Sequence, residues 1–551
     1  MVLPLNLLRR WILPALSAGL VQLVALPGIA AEERGPWIPD LQTGSYKNPV
    51  LFADYSDPDV IRVGEDFYLV SSSFSHVPGL PILHSKDLVN WTLLTHALPR
   101  LVPQEHFSVP RPGEGVWAPA IRFHAGAFWI YYPDPDFGIY LIKASDPAGP
   151  WSAPVLVKEG KGLIDPCPFW DDDGKPYLIH GWALSRAGVS NRLTLTALSD
   201  DGTRFEGEDR VVVEGADLPG WKTLEGPKLY KRNGYYYIFA PAGGVKTGWQ
   251  AVFRAKSLFG PYENRIVMDQ GSTAINGPHQ GAWVDTPSGQ DWFLHFQDLE
   301  AYGRVVHLEP LVWREDWPVI GEDPDDDGKG QPVPTHLKPD LPSAPVATPV
   351  TSDEFEGPKL ALSWQWQANP RSDWASLTAM PGRLQLNCLP TPPNLFLAPN
   401  LLLQKLPAPV FEAVTEMRLN SKEQGDQAGL IIFGYDYSWI GLRNTPTGPQ
   451  LFSTVRRQAA KNTLEVETKL HDVSPEATVW LRVQVREGAT CEFAYSLDGK
   501  TFSPVKPSFA ATVSRWVGAK VGLFASRLPT KTEAPAGHAE FSWFRISGLR
   551  P

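Results

Sequence analysis

The sequence predicts an all-β chain, a five-bladed β-propeller followed by a β-sandwich. Three observations predict it. One pattern recurs at intervals of about fifty to sixty residues, as in repeat architectures. The 54 prolines and 47 glycines cut the chain into short segments that suit strands and turns better than long helices. After a Pro- and Asp-rich interval the repeat stops, and strands alternating apolar with polar residues take over. A length of 551 residues fits two domains, because a single core usually stops growing well before that size.

Residues 1–30 carry Arg9 and Arg10, an apolar run from Trp11 to Leu26, and small residues at Gly28 and Ala30, which read as a secretory signal. The run is shorter than the roughly 20 residues of a membrane span, and no later segment reaches that length either. The chain is therefore expected to be exported, periplasmic or extracellular, with no membrane partner. Residues 44–320 hold the five copies: DPDVIRVGEDFYLVSSSF from Asp57, APAIRFHAGAFWIYY from Ala118, DPCPFWDDDGKPYLIHGW from Asp165, EGPKLYKRNGYYYIFAPA from Glu225 and GPHQGAWVDTPSGQDWFLHFQ from Gly277. In each, an apolar strand meets a turn rich in Gly, Asp or Asn and an aromatic strand returns, as in a β-hairpin. Two further strands follow each hairpin, which makes four-stranded blades around an axis. Residues 321–349, with PVPTHLKPDLPSAPVATP, read as a semi-rigid linker over the surface. Residues 350–551 supply the alternating strands of an antiparallel sandwich, among them QAGLIIFGYDYSWIGLRN and TVWLRVQVREG.

Composition removes several functions. A formal net charge of -10 gives no basic surface for nucleic acid, whose binding depends on clustered Lys and Arg. Three cysteines make no disulfide framework and no zinc site; a Cys388–Cys491 bridge is left open, since spacing says nothing about geometry. Twenty-one tryptophans suit stacking against sugar rings as well as packing.

Equivalent positions in different blades lie at equivalent radii, so the leading residues of the copies converge on the channel mouth. Those positions hold Asp57, the Trp117-Ala118-Pro119 segment, Asp165, Glu225 and Pro278-His279. Asp-Pro and Glu-Gly-Pro also cap turns. Three carboxyls in register, however, are electrostatically costly and point to function. Glycoside hydrolysis needs an acid for the departing oxygen and a base on the opposite face of the ring, and a third carboxylate close to the acid can keep it protonated.

At these residues the resemblance becomes specific. SDPDVIRVGEDFYLV, GVWAP, IDPCPFWDDDGKPYL, LEGPKLYKRNGYYYIFA, GPHQGAW and YGR make residues 46–320 similar to glycoside hydrolase family 43, five-bladed propellers with Asp, Asp and Glu at the site. The resemblance implies Asp57 as the base that activates water, Asp165 as the carboxylate that tunes and orients the acid, and Glu225 as the acid, with inversion at the anomeric carbon. It also implies a terminal-sugar pocket formed by Phe74, Trp117 and Arg304, with Arg304 binding sugar hydroxyls. Some relatives hold a cation or water through a single channel histidine, so His279 is a candidate ligand for a structural calcium; the reaction requires no cofactor. Asp323-Pro324-Asp325-Asp326-Asp327-Gly328 resembles half of a calcium loop but has Pro334 where the twelfth-position Glu would stand. The DEFEG, AGLIIF and SLDGKTF segments resemble the concanavalin A-like jelly roll attached to β-xylosidase-like members, where a sandwich loop narrows the pocket; Trp516 is the candidate.

These readings converge on an inverting exo-glycosidase that removes terminal β-D-xylosyl or α-L-arabinofuranosyl units from plant polysaccharide or oligosaccharide. An endo-arabinanase and a non-catalytic carbohydrate-binding propeller are the alternatives. The first calls for an open cleft, the second for no release of dye from aryl glycosides.

Overall fold

Between Asp59 and Ile320 the chain forms five four-stranded antiparallel sheets, each strand pairing with the next along the sequence. The computed structural model describes residues 35–529 and 537–549, so the expected export signal lies outside the described residues. Blade 1 runs Asp59–Val63, Asp66–Val70, Gly79–Ser85 and Trp91–Leu98. Blades 2 to 5 begin at Ala120–His124, Leu163–Trp170, Lys228–Arg232 and His279–Asp285. The first strands of blades 5, 1, 2, 3 and 4 contact one another in that order around the axis, and the first strand of blade 5 closes on Tyr235–Ala242 of blade 4.

A separate apolar cluster fills each seam between blades. Val60, Phe67 and Leu83 of blade 1 meet Ala282, Trp292 and Leu294 of blade 5, and Trp129 and Tyr131 of blade 2 meet Leu178 and Leu198 of blade 3. The aromatic return strands supply the largest of these side chains, which is why each copy is so rich in Tyr, Phe and Trp. The segment ahead of blade 1 closes the ring. Leu51 and Val306 exchange backbone hydrogen bonds, and the Tyr46 hydroxyl donates to the Leu308 carbonyl at 2.7 Å.

The 321–349 segment is anchored along its length. Thr335–Leu337 pairs with Ser45–Lys47, Lys338 bridges Asp40 and Asp87, and Val333 is fully buried. Its aspartates carry no calcium-like arrangement, because the Arg314 guanidinium donates to both Asp323 and Asp326 at 2.8 and 2.7 Å. Asp171 through Lys175 form the expected tight turn, with the Asp171 N–H donating to the Lys175 carbonyl.

The second domain stacks a seven-stranded sheet on a second antiparallel sheet; the long strands Asp426–Phe433, Tyr437–Thr445 and Lys520–Arg527 belong to the first, Phe411–Asn420, Val479–Arg486 and His538–Ser547 to the second. All three cysteines are free and buried, Cys388 and Cys491 included. The sandwich is continuous with the propeller. Phe52, Ala301, Tyr302 and Val305 share one apolar cluster with Leu406, Ala408, Phe411 and Ala489. Trp366 and Val77 exchange backbone hydrogen bonds, and the Ala519 N–H donates to the Ala301 carbonyl at 2.7 Å.

Tyr302 holds this interface with one hydroxyl, which donates to the Pro409 carbonyl and accepts from the Ala489 N–H, both at 2.8 Å. Tyr302→Phe leaves that buried N–H unpaired, a loss of about 1–3 kcal/mol. The thermal midpoint of the whole protein should fall by about 1–3 °C in a melting scan, and an unchanged midpoint would show that the hydroxyl carries no weight in the interface.

Candidate active site

Asp57 stands just before the first strand of blade 1 at φ 55°, a conformation non-glycine residues adopt rarely and Asp better than most. Its Oδ2 accepts from the Ser72 hydroxyl at 2.5 Å and its Oδ1 from Arg304 Nη1 at 3.0 Å. Asp165 also has positive φ, at 56°. It lies in a bulge, where the pairing of Leu163–Trp170 shifts between Ile164 and Cys167, and bulges re-aim side chains in this way. Its Oδ2 accepts from the Gly226 N–H at 2.8 Å. Glu225 precedes blade 4; its Oε1 lies 3.0 Å from His279 Nε2, a hydrogen bond to the leading residue of blade 5. A side chain at Gly226 would crowd Gln280 and Pro241, which explains glycine after Glu225.

Burial, then the neighbouring Glu225, and more weakly Asp57, push the Asp165 carboxyl up to about 7. The three carboxyls thus share one electrostatic space. Glu225 has a side chain 24 % exposed against 7 % for Asp57, so Glu225 is the carboxyl open to the pocket mouth.

Beneath them lies a buried charge network. Asp59 accepts from the Ile121 N–H and from Arg122 Nη1, both at 2.7 Å. Lys228 Nζ is 4.0 Å from the other Asp59 oxygen, and Arg122 Nη2 reaches Cys167 Sγ at 3.0 Å.

The walls are aromatic. Phe74 and Val116 exchange backbone hydrogen bonds, and Gly115 is required there because a Cβ would lie 2.4 Å from the Phe74 carbonyl oxygen. The Phe74 and Trp117 rings meet edge to face at 6.3 Å, and Trp117 meets Trp516 of the sandwich at 6.1 Å. The Arg304 guanidinium lies 4.8 Å from the Phe296 ring and 6.0 Å from Trp516. Trp516 is 38 % exposed, so part of its face remains free for a ligand.

Asp57, Asp165, Glu225, Phe74, Trp117, Arg304, Trp516 and His279 are linked through these contacts, and two of them also hold a carboxyl. Arg304 spends one nitrogen on Asp57. His279 spends Nε2 on Glu225, while its Nδ1 is buried without a hydrogen-bond partner. One imidazole is a poor donor set for calcium, which takes six to eight oxygens. Among the described residues no three His, Cys, Asp or Glu side chains are grouped to hold a metal. Sequence reasoning missed Ser72, Asp54 and the Asp59–Arg122–Lys228 network. Asp59, Ser72, Arg122 and Lys228 all lie inside the repeat copies, but only their distant partners mark them out, and Asp54 lies just ahead of the first copy.

Both domains resemble known proteins. The family profile described as glycosyl hydrolases family 43 matches residues 46–318, and that of the β-xylosidase C-terminal concanavalin A-like domain matches residues 352–547. A putative β-xylosidase from Xylanibacter ruminicola is 39% identical over 509 residues, covering 91% of this chain and 90% of the relative. A non-reducing end α-L-arabinofuranosidase from Bacteroides ovatus is 28% identical over 543 residues, covering 93% and 96%. The crystal structure of a xylan β-1,4-xylosidase from Bacillus halodurans superposes with a TM-score of 0.80 at 25% identity, covering 91% of this chain and 99% of the other.

Asp165 has a folded pKa above its unfolded value near 4, so the folded state holds the proton more tightly and stability is lost as pH rises from about 4 to about 7. Asp165→Asn keeps an acceptor for the Gly226 N–H and removes the charge. Its thermal midpoint should exceed the wild-type value at pH 8 and nearly match it at pH 4.5. A difference independent of pH would mean that the buried charge is not what destabilises the native protein.

Proposed function

The chain belongs to glycosyl hydrolase family 43, and from that premise and the site geometry we propose an inverting exo-glycosidase that releases terminal β-D-xylosyl or α-L-arabinofuranosyl units from plant polysaccharide or oligosaccharide. The observation that carries this is the grouping of Asp57, Asp165 and Glu225 at the starts of blades 1, 3 and 4, with Asp165 bonded to the residue after Glu225 and Asp57 to Arg304, whose guanidinium lies 6.0 Å from Trp516 of the second domain. The β-xylosidase and α-L-arabinofuranosidase relatives support the sugar class.

Asp57 takes a proton from water, whose oxygen attacks the anomeric carbon from the face opposite the leaving group. The glycosidic C–O bond breaks as Glu225 gives its proton to the departing oxygen, and both carboxyls reset by exchange with solvent. Inversion calls for about 6.5–9.5 Å between base and acid, enough for that water. Arg304 and Ser72 fix the orientation of Asp57, His279 fixes Glu225, and Asp165 accepts from the Gly226 N–H and so holds the backbone that carries the acid. The Trp117–Trp516 contact favours a closed end over the open cleft of an endo-acting arabinanase. Export through residues 1–30 completes the proposal, since polymeric hemicellulose lies outside the cell.

Glu225→Ala should lose activity most on substrates with poor leaving groups and retain part of it on activated aryl glycosides, because the acid matters only when the departing oxygen needs a proton. Asp57→Ala should lose activity on both alike. Equal losses for Glu225→Ala across a series of aryl xylosides or arabinofuranosides would remove its role as acid, and no turnover by the wild type would favour a binding module.

Trp516→Ala should raise KM for short substrates with little change in kcat, as expected for loss of binding shared by ground and transition states. Unaltered constants would mean that the sandwich takes no part in the pocket.

A further inference from the structure

Asp54 lies three residues before Asp57, is 3 % exposed, and touches both domains. Its Oδ1 accepts from the Arg304 backbone N–H at 2.9 Å and from the Ser56 hydroxyl at 3.1 Å. Its Oδ2 accepts from the Gly518 backbone N–H at 3.0 Å. One carboxylate thus grips the start of the strand Arg304–Arg314, whose first guanidinium holds Asp57, and the sandwich loop that presents Trp516 two residues before Gly518.

The fit is close enough to dictate residue type. A Cβ on Gly303 would lie 2.5 Å from Asp54 Cγ, and one on Gly518 would lie 2.5 Å from the Gly303 nitrogen. Glycine on each side lets the two backbones and the carboxylate meet. The charge also has a purpose. Lys405 and Lys520 are direct cross-strand partners on the sandwich, an unfavourable pairing of like charges. Lys520 is buried and Lys405 half-buried, and Asp54 is the carboxylate whose field favours their charged forms. A neutral side chain at position 54 would lose the hydrogen bond to the loop and the counter-charge together.

We infer that Asp54 is a positioning residue for hydrolysis: it fixes loop 514–518 to the strand that carries Arg304, so that one group sets both the closure of the pocket by Trp516 and the orientation of Asp57. This rests on the reading of Asp57 as base and Trp516 as pocket wall. Asn at this position can accept from Arg304 and Ser56 through its oxygen but turns an NH2 toward the Gly518 N–H, so that arm breaks.

The test is a double-mutant cycle of Asp54→Asn and Trp516→Ala in the full-length protein, with kcat and KM measured on whichever aryl xyloside or arabinofuranoside the wild type turns over. Asp54→Asn should raise KM about fivefold in the wild-type background and less than about twofold when Trp516 is already Ala, because the loop then has nothing to position. General destabilisation would give the same factor in both backgrounds, so equal factors, or an unchanged KM, overturn the inference. If Asp54→Asn is insoluble, Asp54→Glu keeps the charge beside the lysines while displacing the acceptor oxygens, and the same non-additivity is expected of it. A Trp516→Ala single variant with unaltered KM removes the pocket-wall reading, and this inference with it. A normal Trp516→Ala effect combined with an additive cycle removes the role of Asp54 alone.

Discussion

Asp59, fully buried on the propeller axis, binds the Arg122 guanidinium and the Ile121 N–H and faces the Lys228 ammonium. Removing one partner from such a buried set leaves an uncompensated charge, worth about 3–5 kcal/mol. The network spans blades 1, 2 and 4 and reaches Cys167 of blade 3 through Arg122. Its members stand next to the chemistry: Asp57 is two residues before Asp59, Asp165 two before Cys167, and Glu225 three before Lys228. Fixing the first strands against one another beneath the pocket therefore fixes the carboxyls above it. Apolar seams alone would hold the blades together, but they lack the directionality that hydrogen-bonded charges impose on strand register.

That floor lets the site hold unfavourable states. Asp57 and Asp165 both have positive φ, which costs of order 1–3 kcal/mol at a non-glycine residue and persists only where the surroundings impose it. Asp165 adds the electrostatic cost of a carboxyl buried beside two others. A fold selected for stability alone would have no use for either. Together they aim two short side chains into the site, and the Asp165 carboxyl that burial and its neighbours push up stands beside the segment of the proposed acid.

Repeats make the radial position of a residue readable, and this is why Asp57, Asp165, Glu225 and His279 could be placed on the axis without coordinates. The copies also carried their own blade boundaries, since each hairpin turn is marked by Gly, Asp or Asn. What stayed illegible depends on partners far along the chain. Asp54 and Asp59 look like ordinary turn residues in ADYSDPDV, and nothing local announces that one meets Gly518 and the other Arg122. His279 stands at the start of blade 5 as its repeat position implies, but an imidazole is equally suited to a cation and to a carboxylate, and nothing local announces its contact with Glu225. For Arg304, a guanidinium has several donors, so contact with Asp57 leaves others for the sugar hydroxyls expected from family resemblance. The Pro-rich 321–349 segment has a linker's composition, yet its Lys338 and Thr335–Leu337 find partners in the first turns of the described chain.

The two domains divide the work along chemical lines. Every carboxyl at the centre, with Arg304, Ser72 and His279, comes from the propeller, whereas the sandwich contributes an aromatic side chain and the loop that carries it. Bond cleavage depends on atoms held to within fractions of an ångström by the axial network. On the proposed reading, pocket depth depends on the loop that carries Trp516, and loops vary and move without disturbing the elements that carry them. A change in loop 514–518 can therefore alter how many sugar units fit beyond the carboxyls while the base, the acid and their separation stay as they are. Selection for substrate length and selection for catalytic geometry then act on different parts of the chain, joined mainly where Asp54 accepts from Gly518 and Arg304.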